Sequence, residues 1–176
     1  MKTPEQYVES LRKLNLEVYL LGERVKNPVD HPIIRPSLNS VAMTYQAARE
    51  EACQGLMTTT SHLTGKRINR FTAIHQNAQD LVNKVKMQRL LGQRTASCFQ
   101  RCVGLDAANA VYSTTFECDR VHGTDFHQRF RAYWAWVQRE DLVVDGAMTD
   151  PKGDRGKRPA EQDGHGAALK LIKIKL

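Results

Sequence analysis

Thr95-Ala96-Ser97-Cys98-Phe99-Gln100-Arg101-Cys102-Val103-Gly104 opens the stretch whose reading decides the fold. From residue 95 to about residue 118, Phe99, Cys102, Val103, Ala107, Ala110 and Val111 recur at intervals that gather them on one face of an α-helix. Most of them are small, so the face either lets a neighbouring helix approach closely or leaves room for a ligand. Cys98 and Cys102 stand four residues apart, which on a helix puts both thiols on one side with Cβ atoms about 5–6 Å apart. Two thiolates so placed can bind two corners of an iron–sulfur cluster or half of a zinc site. The same spacing also describes two small apolar residues in a helix interface. Closed metal sites take four ligands, and no nearby histidine or cysteine has complementary spacing, so spacing alone favours the packing role.

Helical patterns flank this stretch on both sides. Thr3-Pro4-Glu5-Gln6 is a helix start, with Thr3 as cap, Pro4 in the first turn and Gln6 at the capping-box position. Tyr7, Leu11 and Leu14 follow on one face. Val18 to Leu21 is a short apolar run closed by Gly22, and Pro28, Pro32 and Pro36 punctuate a loop. Leu38, Val41, Ala42, Tyr45 and Ala48 predict a second helix, and residues 58–65 read as polar loop. Asn77 followed by Asp80 marks another helix start. Leu81, Val85, Leu90 and Leu91 are expected on its buried side, and Gly92 is a candidate break or kink. Thr124 opens a last helix, with Phe126, Phe130, Tyr133, Trp134 and Val137 spaced to pack inward. Four or five helices and few strands predict a bundle.

The character changes after residue 141. Leu142 to Met148 runs into the polar turn Thr149-Asp150-Pro151-Lys152-Gly153-Asp154-Arg155-Gly156. Lys152, Arg155 and freed backbone amides there suit a phosphate or an electron-rich flavin edge, although composition alone favours a solvated turn. Residues 169–176 nearly alternate and read as a β-strand. A lone strand has no partner, so the chain reads as one that stops where a sheet should begin. Lys84, Lys86, Arg89 and Arg94 can meet the phosphates of a nucleotide or coenzyme A, but are better read as a solvated helix face. His31, His62, His75, His122 and His127 show no paired ligand spacing and read as surface or hydrogen-bonded residues.

Composition narrows the classes. The 176 residues fit one domain with the start of a second. No apolar run approaches the ~20 residues needed to cross a bilayer, and the first ten residues lack a secretory signal. A cytoplasmic protein with no membrane partner is expected. Four cysteines do not make a disulfide scaffold, and Cys53 and Cys118 read as core residues. The net charge of +7 is uneven. Residues 151–176 carry Lys152, Arg155, Lys157, Arg158, Lys170, Lys173 and Lys175 against Asp154, Glu161 and Asp163. More than half of the excess therefore sits in the tail and not on a folded face, which argues against a nucleic-acid partner.

Several stretches together resemble the 4-hydroxybutyryl-CoA dehydratases. They are residues 5–15, His31-Pro32 through Pro36-Ser37, Lys86-Met87-Gln88-Arg89-Leu90-Leu91-Gly92-Gln93, residues 95–104 and residues 145–156. The Asp-Pro-Lys-Gly-Asp-Arg loop is shared more widely with the 4-hydroxyphenylacetate 3-hydroxylase flavoproteins, and the cysteine pair points to the dehydratase branch. The resemblance implies a mainly α chain, the N-terminal helical domain of an acyl-CoA-dehydrogenase-like fold. Residues 1–141 would form that domain, and residues 142–176 the flavin-site loop with the incomplete start of a β-domain. It implies FAD and a [4Fe–4S] cluster, with Cys98 and Cys102 as two of three cysteine ligands. Gln100 would line the substrate cleft, and Met148, Thr149, Asp150, Lys152, Asp154 and Arg155 would belong to the flavin site. The implied chemistry is reversible dehydration of 4-hydroxybutyryl-CoA to crotonyl-CoA, with vinylacetyl-CoA isomerisation beside it. The third cysteine and a histidine ligand belong to a later part of the family's sequence. The chain is therefore expected to need an acyl-CoA substrate together with a homo-oligomer or a complementary C-terminal chain, and to lack a whole active site alone. The competing expectations are part of a flavin-dependent 4-hydroxyphenylacetate 3-hydroxylase-like monooxygenase, or a cofactor-free helical interaction module.

Overall fold

The computed structural model describes residues 1–99, 101–146, 157, 158 and 161. The chain falls into two units, Met1–Gly146 and Ala147–Leu176. Gln100, the loop residues Met148, Thr149, Asp150, Lys152, Asp154 and Arg155, and the expected strand at 169–176 lie outside the described residues. In the second unit the Glu161 amide donates to the Arg158 carbonyl at 2.9 Å, and the Arg158 amide donates to the Glu161 carboxylate at 3.2 Å.

The first unit is mainly helical, as expected. Helix α1 (Pro4–Arg12) starts with the capping box read from the sequence: Thr3 Oγ1 accepts from the Gln6 amide and Gln6 Oε1 from the Thr3 amide. The run at Val18 becomes β1 (Val18–Leu20), paired antiparallel with β2 (Glu23–Val25). Leu21 and Gly22 between them both have positive φ, 52° and 87°, the geometry whose twist suits a two-residue hairpin. Helices α2 (Arg35–Arg49) and α3 (Glu51–Met57) follow. Residues 58–65 are not simply a loop, because β3 (Thr58–Thr60) pairs with β4 (Arg67–Asn69). A three-residue 3₁₀ turn (Arg70–Thr72) then leads to α4 (Ala78–Thr95), α5 (Arg101–His122) and α6 (Phe126–Arg139). Asn77 caps α4 through the Asp80 amide, as expected, and α4 runs through Gly92 unbroken.

The 3₁₀ turn is a hub. Arg70 is buried and donates to the Leu56, Gly55 and Thr58 carbonyls at 2.6, 3.2 and 2.9 Å, which satisfies the open C-terminal end of α3. The Thr72 carbonyl accepts from Trp134 Nε1 and Gln138 Nε2 of α6, both at 2.8 Å. Asn109 of α5 holds the next residues, donating to the Ala73 carbonyl and accepting from the His75 amide. Around this hub one core cluster gathers Ala47, Ala48, Cys53, Met57, Phe71, Met87, Leu91, Phe99 and Leu105.

Several faces expected inside lie outside. On α4 the buried residues are Met87 and Leu91, while Leu81 and Val85 are exposed. On α6 Trp134 and Val137 are buried, whereas Phe126 and Tyr133 are exposed. The packed face of α5 is Arg101, Gly104, Leu105 and Ala108, and Ala107, Ala110 and Val111 face outward. Each of these helices carries two apolar stripes, and periodicity cannot say which one the core takes. Among the described residues no helix is long and apolar enough to cross a membrane.

Gly104 marks the tightest packing. A Cβ built there would lie 1.9 Å from the Val144 carbonyl oxygen and 2.4 Å from its carbon. Both are backbone atoms, so relief requires residues 142–146 to move. Gly104→Ala is expected to cost about 1–3 kcal/mol, the usual range for overpacking, read as a lower urea midpoint. An unchanged midpoint would show that the segment is free to shift.

Candidate functional site

The chain between α4 and α5 carries the cysteine pair. Helix α4 ends with Ala96 in the left-handed region, φ 49°, which turns the backbone out of the helix. Ser97 is then fixed from three sides. Its Oγ shares a 2.9 Å hydrogen bond with Ser40 Oγ of α2, its carbonyl accepts from Thr95 Oγ1, and its amide donates to the same oxygen. Phe99 is buried, edge-on to Phe71 at 5.5 Å between centroids. Between these anchors Cys98 is exposed. The Arg101 amide reaches back to the Phe99 carbonyl at 2.7 Å, and α5 starts there.

This corrects the expected helix. It begins at Arg101, not near residue 95, so Cys98 lies before it and only Cys102 sits in its first turn. The two thiols are not an i, i+4 pair on one helix. Burial first, and then the charge of Cys98, raise the Cys102 thiol above its ordinary value. Cys102 is half-buried and packs on the core cluster that contains Phe99 and Leu105.

Residues 142–146 close over the first turn of α5. Arg101 Nη2 donates to the Leu142 carbonyl at 3.4 Å, Val144 lies on Gly104, and Val103 Cγ1 fills the space a Cβ on Gly146 would need. Just before this segment, Tyr45 Oη donates to the Asp141 carbonyl at 2.8 Å. Burial keeps the Tyr45 hydroxyl well above its ordinary pKa, so it remains a donor. Neither Arg101 nor Gly104 was singled out by spacing. A glycine inside a strong helical pattern is the signal that could have marked the close approach.

The other candidates are dispersed. Lys84 pairs with Asp106 of α5, and Arg94 with Glu50 and the Cys53 sulfur. Half of the basic stretch is thus committed to packing helices together. His62 and His127 share hydrogen bonds with Tyr112 and Thr115, and His31 accepts from the Ile33 amide. His75 has a buried Nε2 with no partner among the described residues. Cys53 is buried, as expected for a core residue, whereas Cys118 is only half-buried. Among the described residues no group of three or more His, Cys, Asp or Glu is placed to hold a metal ion.

Comparison with known proteins identifies the class to which this helical unit belongs. The family model for the 4-hydroxyphenylacetate 3-hydroxylase N-terminal region matches residues 3–175, and the chain belongs to that family. It is 59% identical over 172 residues to the 4-hydroxybutyryl-CoA dehydratase/vinylacetyl-CoA-Delta-isomerase of Clostridium aminobutyricum, covering 98% of this chain and 35% of that protein. An oxygen-tolerant archaeal 4-hydroxybutyryl-CoA dehydratase from N. maritimus superposes with a TM-score of 0.85 at 56% identity, over 93% of this chain and 32% of the other. The oxygenase component HpaB of 4-hydroxyphenylacetate 3-monooxygenase, solved with FAD and 4-hydroxyphenylacetate, shares the fold at a TM-score of 0.70 and 22% identity, over 93% of this chain and 33% of its own. The chain thus spans about a third of the length of these relatives.

The thiolate is the reactive form of cysteine, so a raised pKa slows Cys102 at a given pH. At pH 8, iodoacetamide is expected to modify Cys98 several-fold faster than Cys102, scored peptide by peptide by mass spectrometry. The Cys102 rate should still climb at pH values where a free cysteine peptide has levelled off. Equal rates at pH 8 would contradict the burial seen here.

Proposed function

We propose that this chain contributes Cys98 and Cys102 to a [4Fe–4S] cluster in a cytoplasmic, FAD-dependent enzyme that reversibly dehydrates 4-hydroxybutyryl-CoA to crotonyl-CoA. The reading takes residues 1–141 as the helical domain and 142–176 as the flavin-site loop and start of a β-domain. Met148, Thr149, Asp150, Lys152, Asp154 and Arg155 serve the flavin, and Gln100 lines the acyl-CoA cleft.

The observation that carries it is the anchored turn. Ser97 and Phe99 are fastened down, Cys98 between them is exposed, and Cys102 follows in the first turn of α5. A structural thiol pair needs no such presentation, whereas two ligands of a shared cluster do. The donor chemistry fits, because two thiolates suit two iron corners. The other ligands must come from outside the described residues. When bound, the cluster supplies a Lewis-acidic iron for the leaving hydroxyl, and the flavin supplies one-electron chemistry that acidifies an otherwise unactivated C–H. This chain's own part is to hold the two thiolates in fixed relation.

The identity of 59% to the Clostridium enzyme supports the dehydratase branch. Completion by further copies or by a complementary C-terminal chain is supported by exposed apolar residues on three helices: Leu81, Val82 and Val85, then Val111, Phe116 and Val121, then Phe126 and Tyr133.

The test is anaerobic reconstitution with iron, sulfide and FAD, followed by visible spectra and iron content. Where associated copies complete the site, iron with a broad visible absorbance is expected for the unmodified chain, and its loss in Cys98→Ala, Cys102→Ala. Flavin uptake without cysteine-dependent iron would shift the reading to a monooxygenase-like part. Uptake of neither would leave a helical interaction module. Sizing of the metal-free chain should show self-association, and a monodisperse monomer would count against the completion argument.

A further inference from the structure

Arg101 is 1% exposed, and no carboxylate among the described residues pairs with it. A buried cation without a counter-ion is unfavourable, and an unbranched apolar side chain would fill the same slot. What a guanidinium adds is a plane with a fixed fork of donors. Two aromatic rings and two hydrogen-bond acceptors hold that group. The carbon lies 4.7 Å from the Tyr45 ring centroid and 4.8 Å from that of Phe71. Nη1 donates to Thr44 Oγ1 at 2.9 Å and Nη2 to the Leu142 carbonyl at 3.4 Å. Nε has no partner. The group is thus oriented by α2, by the 3₁₀ turn and by the segment after α6 at once.

Its place in the chain gives this orientation a purpose. The Phe71 ring that stacks on Arg101 also meets Phe99 edge-on, so one aromatic ring grips the chain on both sides of residue 100. Cys98 precedes that grip and Cys102 follows it directly. Arg101 is thus the point at which the start of α5, and with it Cys102, is fastened to the core.

We propose that Arg101 is a positioning residue for the cysteine pair: its guanidinium, packed on Tyr45 and Phe71, holds the first turn of α5 and so fixes the place of Cys102 relative to Cys98. It acts through Cys102 and touches no bound group itself. The functional meaning rests on reading the pair as cluster ligands, but the positioning is measurable on the metal-free chain, so the two ideas can fail separately.

The test uses the four cysteines as reporters in the full chain. Alkylation rates are measured peptide by peptide for the unmodified chain, Arg101→Met, Arg101→Lys and Thr44→Val. Loss of the guanidinium should speed Cys102 by about tenfold and loss of the Thr44 acceptor by about threefold, as expected when local opening loses one or more hydrogen bonds. Cys53, 5% exposed in the core, and Cys118, far along α5, should keep their rates. In Arg101→Ala, added methylguanidinium should restore Cys102 protection. An unchanged Cys102 rate in Arg101→Lys and Thr44→Val would overturn the proposal. So would Cys53 rising in step with Cys102 in Thr44→Val, a variant mild enough to fold, because Arg101 would then serve the whole core and not the turn. Failure of the unmodified chain to take up iron would sink the cluster reading and leave this result standing.

Discussion

The contact between the Val144 backbone and Gly104 is the constraint on which the neighbourhood of the cysteine pair depends. Two backbones meet with no side chain between them, and only glycine permits it. The approach brings the Leu142 carbonyl within reach of Arg101 and lets Tyr45 take the carbonyl of Asp141. Asp141 in turn accepts from the Lys2 amide at 2.9 Å, so the start of the chain is tied to the same point. A wider separation would leave the buried guanidinium with one hydrogen bond instead of two. Its burial would then be harder to sustain.

A second level of support comes from main-chain groups that side chains satisfy. The 3₁₀ turn cannot close its own hydrogen bonds as a long helix would. Trp134, Gln138, Asn109 and the buried Arg70 complete them, or use the turn to complete those of α3. Ser61 adds a 2.6 Å donation to Gln138 Oε1, linking the second hairpin to α6. Phe71 projects from this fixed turn, so the ring that grips Phe99 and Arg101 is itself held by three helices. The cysteine turn inherits its rigidity from polar groups some distance along the chain.

Features governed by neighbouring residues were legible in the sequence. The capping box at Thr3 and the Asn77 cap depend on side chains three residues apart, and both form as read. Features governed by distant partners were not. The polar run after Thr58 hid a hairpin because its register is set by Arg67 to Asn69, which lack strand-like alternation. On α4, Leu81 and Leu91 fit the same period, yet only Leu91 meets the core. The helix expected across residues 95–118 is broken at Ala96 because Ser97 and Phe99 find better partners in Ser40 and Phe71 than in a continuing helix. The cysteine pair was singled out on a geometric premise the fold does not keep: Cys98 lies in the turn before α5, and only Cys102 sits in the helix's first turn.

That distinction bears on how one scaffold can serve different chemistries. The interactions that define the fold here run through Arg70, Phe71, Thr72, Arg101, Gly104, Trp134 and Gln138, and the Cys98 side chain takes part in none of them. Cys98 is exposed and makes no side-chain hydrogen bond among the described residues, so its identity is nearly free of folding constraint. Cys102 packs only at the edge of the core. Relatives bearing the names dehydratase and monooxygenase share this fold at TM-scores of 0.85 and 0.70 despite identities of 56% and 22%. Such divergence is what a scaffold allows when its stability resides in backbone approaches and buried polar contacts while the presented residues carry little of it. The residue that lies between the two sets in this chain is Arg101, buried among the structural contacts and next in sequence to Cys102.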